Sequence, residues 1–230
     1  MKGRGQRRRN RKIGEVGILF EDRDLLVLDK PAGLLAVPIP GSRARNLKDL
    51  VDTYLAPFEQ KAEIVHRIDR YTSGVMVFAK NREARRPLVK QFRELTPHRI
   101  YWALVRGRVE PAEGEMRHSL KLTSRGFRQV VVNGRHPGGT PAVTRYRVLE
   151  ILSGVTLLEV RLLTGLKNQI RVQLCASGYP LVGDRHYAPS EEQEEAISRQ
   201  ALHARSLGFL HPRTQQFVTS EAPLPPDFEH

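Results

Sequence analysis

Apolar and polar positions along the chain fall into short alternating blocks, with few stretches of helical period. Residues 17–20 and 25–28 flank the polar run Glu21-Asp22-Arg23-Asp24, the pattern of two strands joined by a tight turn. The chain leaves this hairpin through Pro31 and Gly33, and Pro38 and Pro40 hold the next loop extended. Asn46 can cap a helix whose Leu47, Leu50, Val51, Tyr54 and Leu55 share one face. Residues 74–79 are almost wholly apolar and too few for an independent helix, which predicts a buried central strand. Asn81 opens a second helix over 82–94, although Pro87 removes an interior hydrogen bond and should delay or kink it. Strands follow at 100–105, 142–152 and 155–163, the last two facing each other across Ser153-Gly154. Pro137-Gly138-Gly139 makes the connection after Asn133-Gly134 a long loop rather than a two-residue hairpin. A helix over 168–177 ends at Gly178, residues 191–201 read as an exposed acidic helix, and 202–210 return to the sheet. Strands and helices interleave without a regular βαβ period. The expected fold is α+β, a mixed and mostly antiparallel sheet with flanking helices around a central cleft.

Charge narrows the class of partner. The 230 residues have a formal net charge of +13, so the surface attracts polyanions, nucleic acid first and an anionic membrane second. Seven of those charges sit in residues 1–12, which contain no acid, leaving +6 for the rest. This tail cannot bury apolar area and is expected to lack fixed structure until it meets a partner, with residues 13–230 as one domain. No apolar run follows the charges, so no signal peptide is expected, and no apolar stretch approaches the roughly 20 residues of a spanning helix. The single cysteine, Cys175, can form no intrachain disulfide, and the eight histidines show no paired metal-ligand spacing.

The densest chemistry is His66-Arg67-Ile68-Asp69-Arg70-Tyr71-Thr72-Ser73-Gly74, directly ahead of the apolar strand. On these residues alone, Asp69 is either a turn residue bonding the amides of Thr72 or Ser73, or a nucleophile that needs no base to deprotonate it. Residues 66–80, HRIDRYTSGVMVFAK, closely resemble the signature of the RluA-type pseudouridine synthases. Separate blocks extend the resemblance over most of 18–212: DKPAGLL at 29–35, RIYWALV at 99–105, LTG and NQIR within 163–171, GDRHY at 183–187, and LHA through HP within 202–212.

The resemblance implies a pseudouridine synthase core that isomerises uridines in structured ribosomal or transfer RNA. It implies no metal or cofactor; the single cysteine points to a reducing compartment, the cytoplasm, and a monomer with no membrane and no obligatory protein partner is expected. Many members carry an N-terminal S4 RNA-binding domain, for which the few residues before the first strand leave no room. Asp69 is implied as the nucleophile, Tyr101 as the aromatic that stacks on the target base, and Arg171 as the arginine held against the carboxylate. Arg67 is implied to fill the space that the flipped uridine leaves in the RNA. His66 braces the loop and Thr72 shapes its turn; with Lys30, Lys167 and Asn168 they complete the residues expected around the substrate. The alternative is a non-catalytic RNA-binding or ribosome-assembly protein of the same fold. A glycoside or nucleoside hydrolase would require two working carboxylates, and the blocks supply one.

One departure stands out. Where the family commonly has TGRxHQIR, this chain has Thr164-Gly165-Leu166-Lys167-Asn168-Gln169-Ile170-Arg171, without the first Arg and the His. Leu166 removes a guanidinium able to bind phosphate, and Asn168 keeps hydrogen bonding but cannot become cationic. Leu166 either faces the cleft, where Leu166→Arg would tighten RNA binding, or packs inward. Removal of the basic tail should weaken RNA binding and flatten its salt dependence by about 0.7–0.9 in log–log slope for each phosphate that the tail neutralises. Catalysis at saturating RNA should change little, and binding titrations across a salt series check both.

Overall fold

The computed structural model describes residues 11–123, 128–134, 136–188 and 197–228. Its strands are β1 (Lys12–Ile13), β2 (Val16–Glu21), β3 (Leu25–Lys30), β4 (Glu63–Ile64), β5 (Ser73–Ala79), β6 (His98–Arg106), β7 (Glu113–Leu122), β8 (Gln129–Val132), β9 (Thr140–Ile151), β10 (Val155–Leu162), β11 (Leu202–Leu210) and β12 (Phe217–Glu221). They form one sheet in the order β1-β2-β3-β5-β11-β6-β10-β9-β7-β8, with β12 on β11 and β4 on β5. Among these strands only β5 and β11 pair in parallel, which makes the sheet mixed and mostly antiparallel, as expected.

The apolar runs of β3 and β5 follow from helices on both faces. Leu26, Leu28, Met76 and Phe78 join a core with α1 (Leu47–Leu55) and α3 (Gln169–Ala176). Their neighbours Leu25, Val27, Val75 and Val77 face the other way, onto Ala84 and Leu88 of α2 (Arg82–Arg93). Successive strand residues point to opposite faces, so a strand covered on both sides is apolar at both parities. On β6 only every second residue is buried, and Tyr101, Ala103 and Val105 face the α1–α3 side. The cleft opens on that side, over the middle of the sheet.

The Asn46 and Asn81 side chains accept from the amides of Asp49 at 3.0 Å and Ala84 at 2.8 Å, capping α1 and α2. Helix α2 continues through Pro87 instead of starting late. The carbonyl deprived of its donor belongs to Glu83, which is exposed and can bond water, so the cap and the burial of Ala84 and Leu88 outweigh the loss. Strand β7, paired with both β8 and β9, was not legible as a strand because charged and polar residues interrupt its apolar positions. Of the helix expected over 191–201, residues 191–196 lie outside the described residues, and 197–201 are not helical. Ile197 and Ala201 are buried, and the Ala201 amide donates to the Val182 carbonyl at 2.8 Å. Residues 1–10 of the tail also lie outside the described residues. Lys12 is in β1 and Arg11 pairs with Glu21 at 2.8 Å, so these two cations of the tail have partners in the fold.

The parallel join rests on two residue pairs, His203 with Ser73 and Ala204 with Gly74. Gly74 has φ +108, and a Cβ there would lie 2.2 Å from the Ala204 carbonyl oxygen. Both the dihedral and the close approach demand glycine. Gly74→Ala should therefore destabilise the fold by more than about 3 kcal/mol, to be read from denaturant unfolding. An unchanged midpoint would mean that the two backbones can separate.

Candidate active site

Asp69 lies in the loop between β4 and β5. Its carbonyl accepts from the Thr72 amide at 3.2 Å, closing a turn. The next carbonyl, that of Arg70, accepts from the Gly33 amide and from Lys30 Nζ, each at 2.9 Å, while Arg70 Nε donates to the Gly33 carbonyl at 2.8 Å. Lys30 Nζ also donates to the carbonyls of Pro31 at 2.9 Å and Leu34 at 2.8 Å. One ammonium thus satisfies its three donors on three carbonyls and fastens two loops together. Burial pushes Lys30 down to about 7, with the attraction of Asp69 acting in the other direction. On the far side of the turn, Gln200 Nε2 donates to Thr72 Oγ1 at 2.8 Å, and Ser73 Oγ bonds His203 Nδ1 at 2.9 Å.

Two donors converge on one oxygen of Asp69. Asn168 Nδ2 donates to Oδ2 at 2.7 Å and Arg171 Nη1 at 3.2 Å, while Oδ1 has no donor among the described residues. Arg171 is fixed by Asp184, to which Nε and Nη2 donate at 2.7 and 2.8 Å, and it lies 5.0 Å from the Tyr187 ring centre. Burial works against the Arg171 charge, but Asp184 and then Asp69 hold it more firmly protonated than an ordinary arginine. Asn168 reaches the carboxylate from a left-handed backbone, φ +53, which asparagine tolerates better than most residues.

A cavity of about 410 Å³ opens above Asp69. Eight of the nine residues expected around the substrate line it: Asp69, Tyr101, Arg171, Arg67, His66, Thr72, Lys167 and Asn168. Lys30 does not; it is fully buried behind the wall, and its contacts are those of a fastener. Burial pushes the Tyr101 phenol above its usual range, so it stays protonated. Trp102 turns to the opposite face, where Arg205 lies 5.3 Å from its ring centre. Arg67 is exposed at the rim. His66 stacks on Phe92 with ring centres 4.4 Å apart, and its Nε2 accepts from the Val77 amide at 3.1 Å. Burial pushes this imidazole down to about 3, so it is a neutral brace rather than a cation.

Residues 24–176 match the family described as RNA pseudouridylate synthase. The chain belongs to that family. It is 37% identical over 218 residues to the uncharacterized RNA pseudouridine synthase YlyB of Bacillus subtilis, covering 93% of this chain and 70% of the relative. The ribosomal large subunit pseudouridine synthase D of Nitrosomonas europaea is 40% identical over 223 residues, with 91% of this chain and 62% of the relative covered. The dual-specificity RNA pseudouridine synthase RluA of Escherichia coli is 39% identical over 207 residues, with 90% and 92% covered. Among solved structures, human RNA Pseudouridylate Synthase Domain Containing 1 superposes with a TM-score of 0.78 at 25% identity, covering 93% of this chain and 85% of that one. As a pseudouridine synthase the chain is an isomerase that converts uridine to pseudouridine in RNA.

Sequence reasoning missed three supports of this pseudouridine synthase site. Asp184 was visible only as part of a matching block, and nothing local ties it to Arg171. Gln169 bridges the Leu166 amide and Thr164 Oγ1 through its Oε1, at 3.0 and 2.8 Å, shaping the loop ahead of α3. Phe92 stacks on His66 from a helix half of whose residues are charged. Leu166 lines the cavity but also packs against the apolar cluster of Leu120, Ala142 and Val172, where an arginine would fit poorly. Leu166→Arg should therefore cost about 1–2 kcal/mol, a fall of roughly 2–8 °C in Tm, without tightening RNA binding. Melting measured beside RNA affinity checks it.

Proposed function

We propose that the cavity takes a uridine flipped out of structured RNA and that Asp69 is the nucleophile. The observation that carries this reading is the asymmetry at the carboxylate. Arg171 and Asn168 both hold Oδ2, which fixes the rotamer, and Oδ1 is left for attack. The reaction breaks the bond from uracil N1 to ribose C1′, turns the base and joins C5 to C1′. The hydrogen on C5 leaves and N1 gains one, so composition is unchanged and no cofactor is consumed. Tyr101 supplies a flat face for the base during this turn, with its hydroxyl kept protonated by burial. Arg67, exposed at the rim, fills the gap in the RNA and offsets part of the few kcal/mol that flipping costs.

A formal charge of +13 and relatives named for the ribosomal large subunit and for dual specificity support ribosomal or transfer RNA as the substrate. Bacterial relatives named for RNA modification support a cytoplasmic setting, in which we take the protein to act as a monomer. Separately, no helix among the described residues is long and apolar enough to cross a membrane. The rival reading, an RNA-binding protein that has lost catalysis, is disfavoured because Asp69, Arg171 and Tyr101 are all present around one cavity.

Asp69→Asn should fold and bind RNA but lose pseudouridine formation by about 10³-fold or more, roughly 4 kcal/mol in barrier. Arg171→Ala should lose activity and also about 3–5 kcal/mol of stability, since it strands Asp184 as a buried unpaired charge. The measurements are tritium release from RNA labelled at uridine C5, mapping of pseudouridines in a deletion strain complemented with each variant, and thermal unfolding. Turnover by Asp69→Asn would overturn the assignment.

A further inference from the structure

The two buried arginines on the cavity wall differ in what neutralises them. Arg171 has Asp184 and Asp69. Arg99 is 8% exposed and has no carboxylate within 4.0 Å among the described residues. Its Nη2 makes one long hydrogen bond, 3.3 Å to the Thr164 carbonyl, and its Nε is buried with no acceptor. A guanidinium has five N–H donors and stays charged, so one bond accounts for little of it. An unpaired buried charge costs several kcal/mol, which makes Arg99 expensive as a mere packing residue.

Its surroundings are shaped for access to this charge. Gly165 also lines the cavity, and a Cβ there would lie 2.5 Å from Arg99 Nη1, so any larger residue would displace the guanidinium. Arg99 shares a strand face with Tyr101, and both line the cavity. Two residues of a strand span about 7 Å, comparable to the distance from a nucleotide's base to its own phosphate. The loop beside Arg99 leads into α3, whose first turn has no side-chain cap.

We propose that Arg99 is the seat of a backbone phosphate flanking the target uridine, so that base and phosphate are held from adjacent positions on one strand. The inference rests on the uridine reading of the cavity. It gives the cavity two anchors with separate tasks: Tyr101 takes the face of any pyrimidine, and Arg99 sets how deep the nucleotide enters. The attraction is a charge-assisted hydrogen bond inside a cleft, and Arg, unlike Lys, can offer two parallel N–H groups to a phosphate.

The test uses RNA labelled with tritium at uridine C5, isolated from a strain lacking the gene, and follows tritium release. Arg99→Gln should raise KM at least tenfold with kcat within threefold, and should reduce the slope of log KM against log salt by about 0.7, the effect of one single-strand phosphate no longer neutralised. Arg99→Lys should recover most of the salt slope and only part of the KM. A raised KM with an unchanged slope, or a loss confined to kcat, would overturn the proposal. Competition on the wild-type protein gives a readout that needs no variant. Uridine 5′- or 3′-monophosphate should inhibit at concentrations at least tenfold below uridine, and equal inhibition by all three would refute a phosphate seat even if every Arg99 variant failed to fold. Wild-type protein that releases no tritium would refute the uridine reading and this proposal together; active wild-type protein with an unmoved slope would refute this proposal alone.

Discussion

A carboxylate can be aimed only if something stiffer holds it, and in this molecule that is the buried pair of Arg171 and Asp184. Asp184 takes two guanidinium nitrogens and is itself almost fully buried, so the arginine cannot swing. Its remaining Nη1 is left aimed at Asp69. Burying this pair is costly in itself. The cost is offset by the hydrogen bonds that saturate it and by the stacking of Tyr187, and the result is an arginine whose direction is set before RNA arrives. The orientation of the Asp69 carboxylate is therefore a property of α3 and the loop after it, which lie about a hundred residues further along the chain.

The loop bearing Asp69 is held from below and from both sides. Lys30 draws three carbonyls together, Gln200 holds Thr72, and His203 holds Ser73. These are polar contacts in a place where an apolar core could not work, because a backbone turn leaves carbonyls and amides that must find partners. Thus a lysine and a histidine of the recognised blocks serve the shape of the loop, and the carboxylate that faces the cavity is carried by a neighbour.

Legibility followed the range of the cause. Helices α1 and α2 could be located because Asn46 and Asn81 cap them within three residues, and β5 because residues 74–79 are apolar on both faces. Eight of the nine expected site residues reached the cavity because they sit in contiguous blocks whose resemblance supplied their roles. What failed was depth and distance. Lys30 was expected around the substrate, yet its place in a matching block does not reveal burial. Leu166 was open between cleft and core, and it serves both. Asp184 and Gln200 act on partners 13 and 128 residues away, and no local pattern announces such pairings. Strand β7 escaped because a strand with mixed faces has no clean period of two.

The place of β11 in the sheet has a consequence for how the molecule comes into being. This strand lies between β5 and β6, so the middle of the sheet is filled by residues 202–210, and His203 meets Ser73 across a separation of 130 residues. Closing so long a loop is entropically slow and gains nothing until the strand docks. During translation the hairpin of β2 and β3, and that of β9 and β10, can form from local contacts, but the turn bearing Asp69 lacks its neighbour until β11 has left the ribosome. A nascent chain has the charge to cling to RNA well before it has the geometry to modify it. The geometry of the turn bearing Asp69 is thereby tied to the docking of β11.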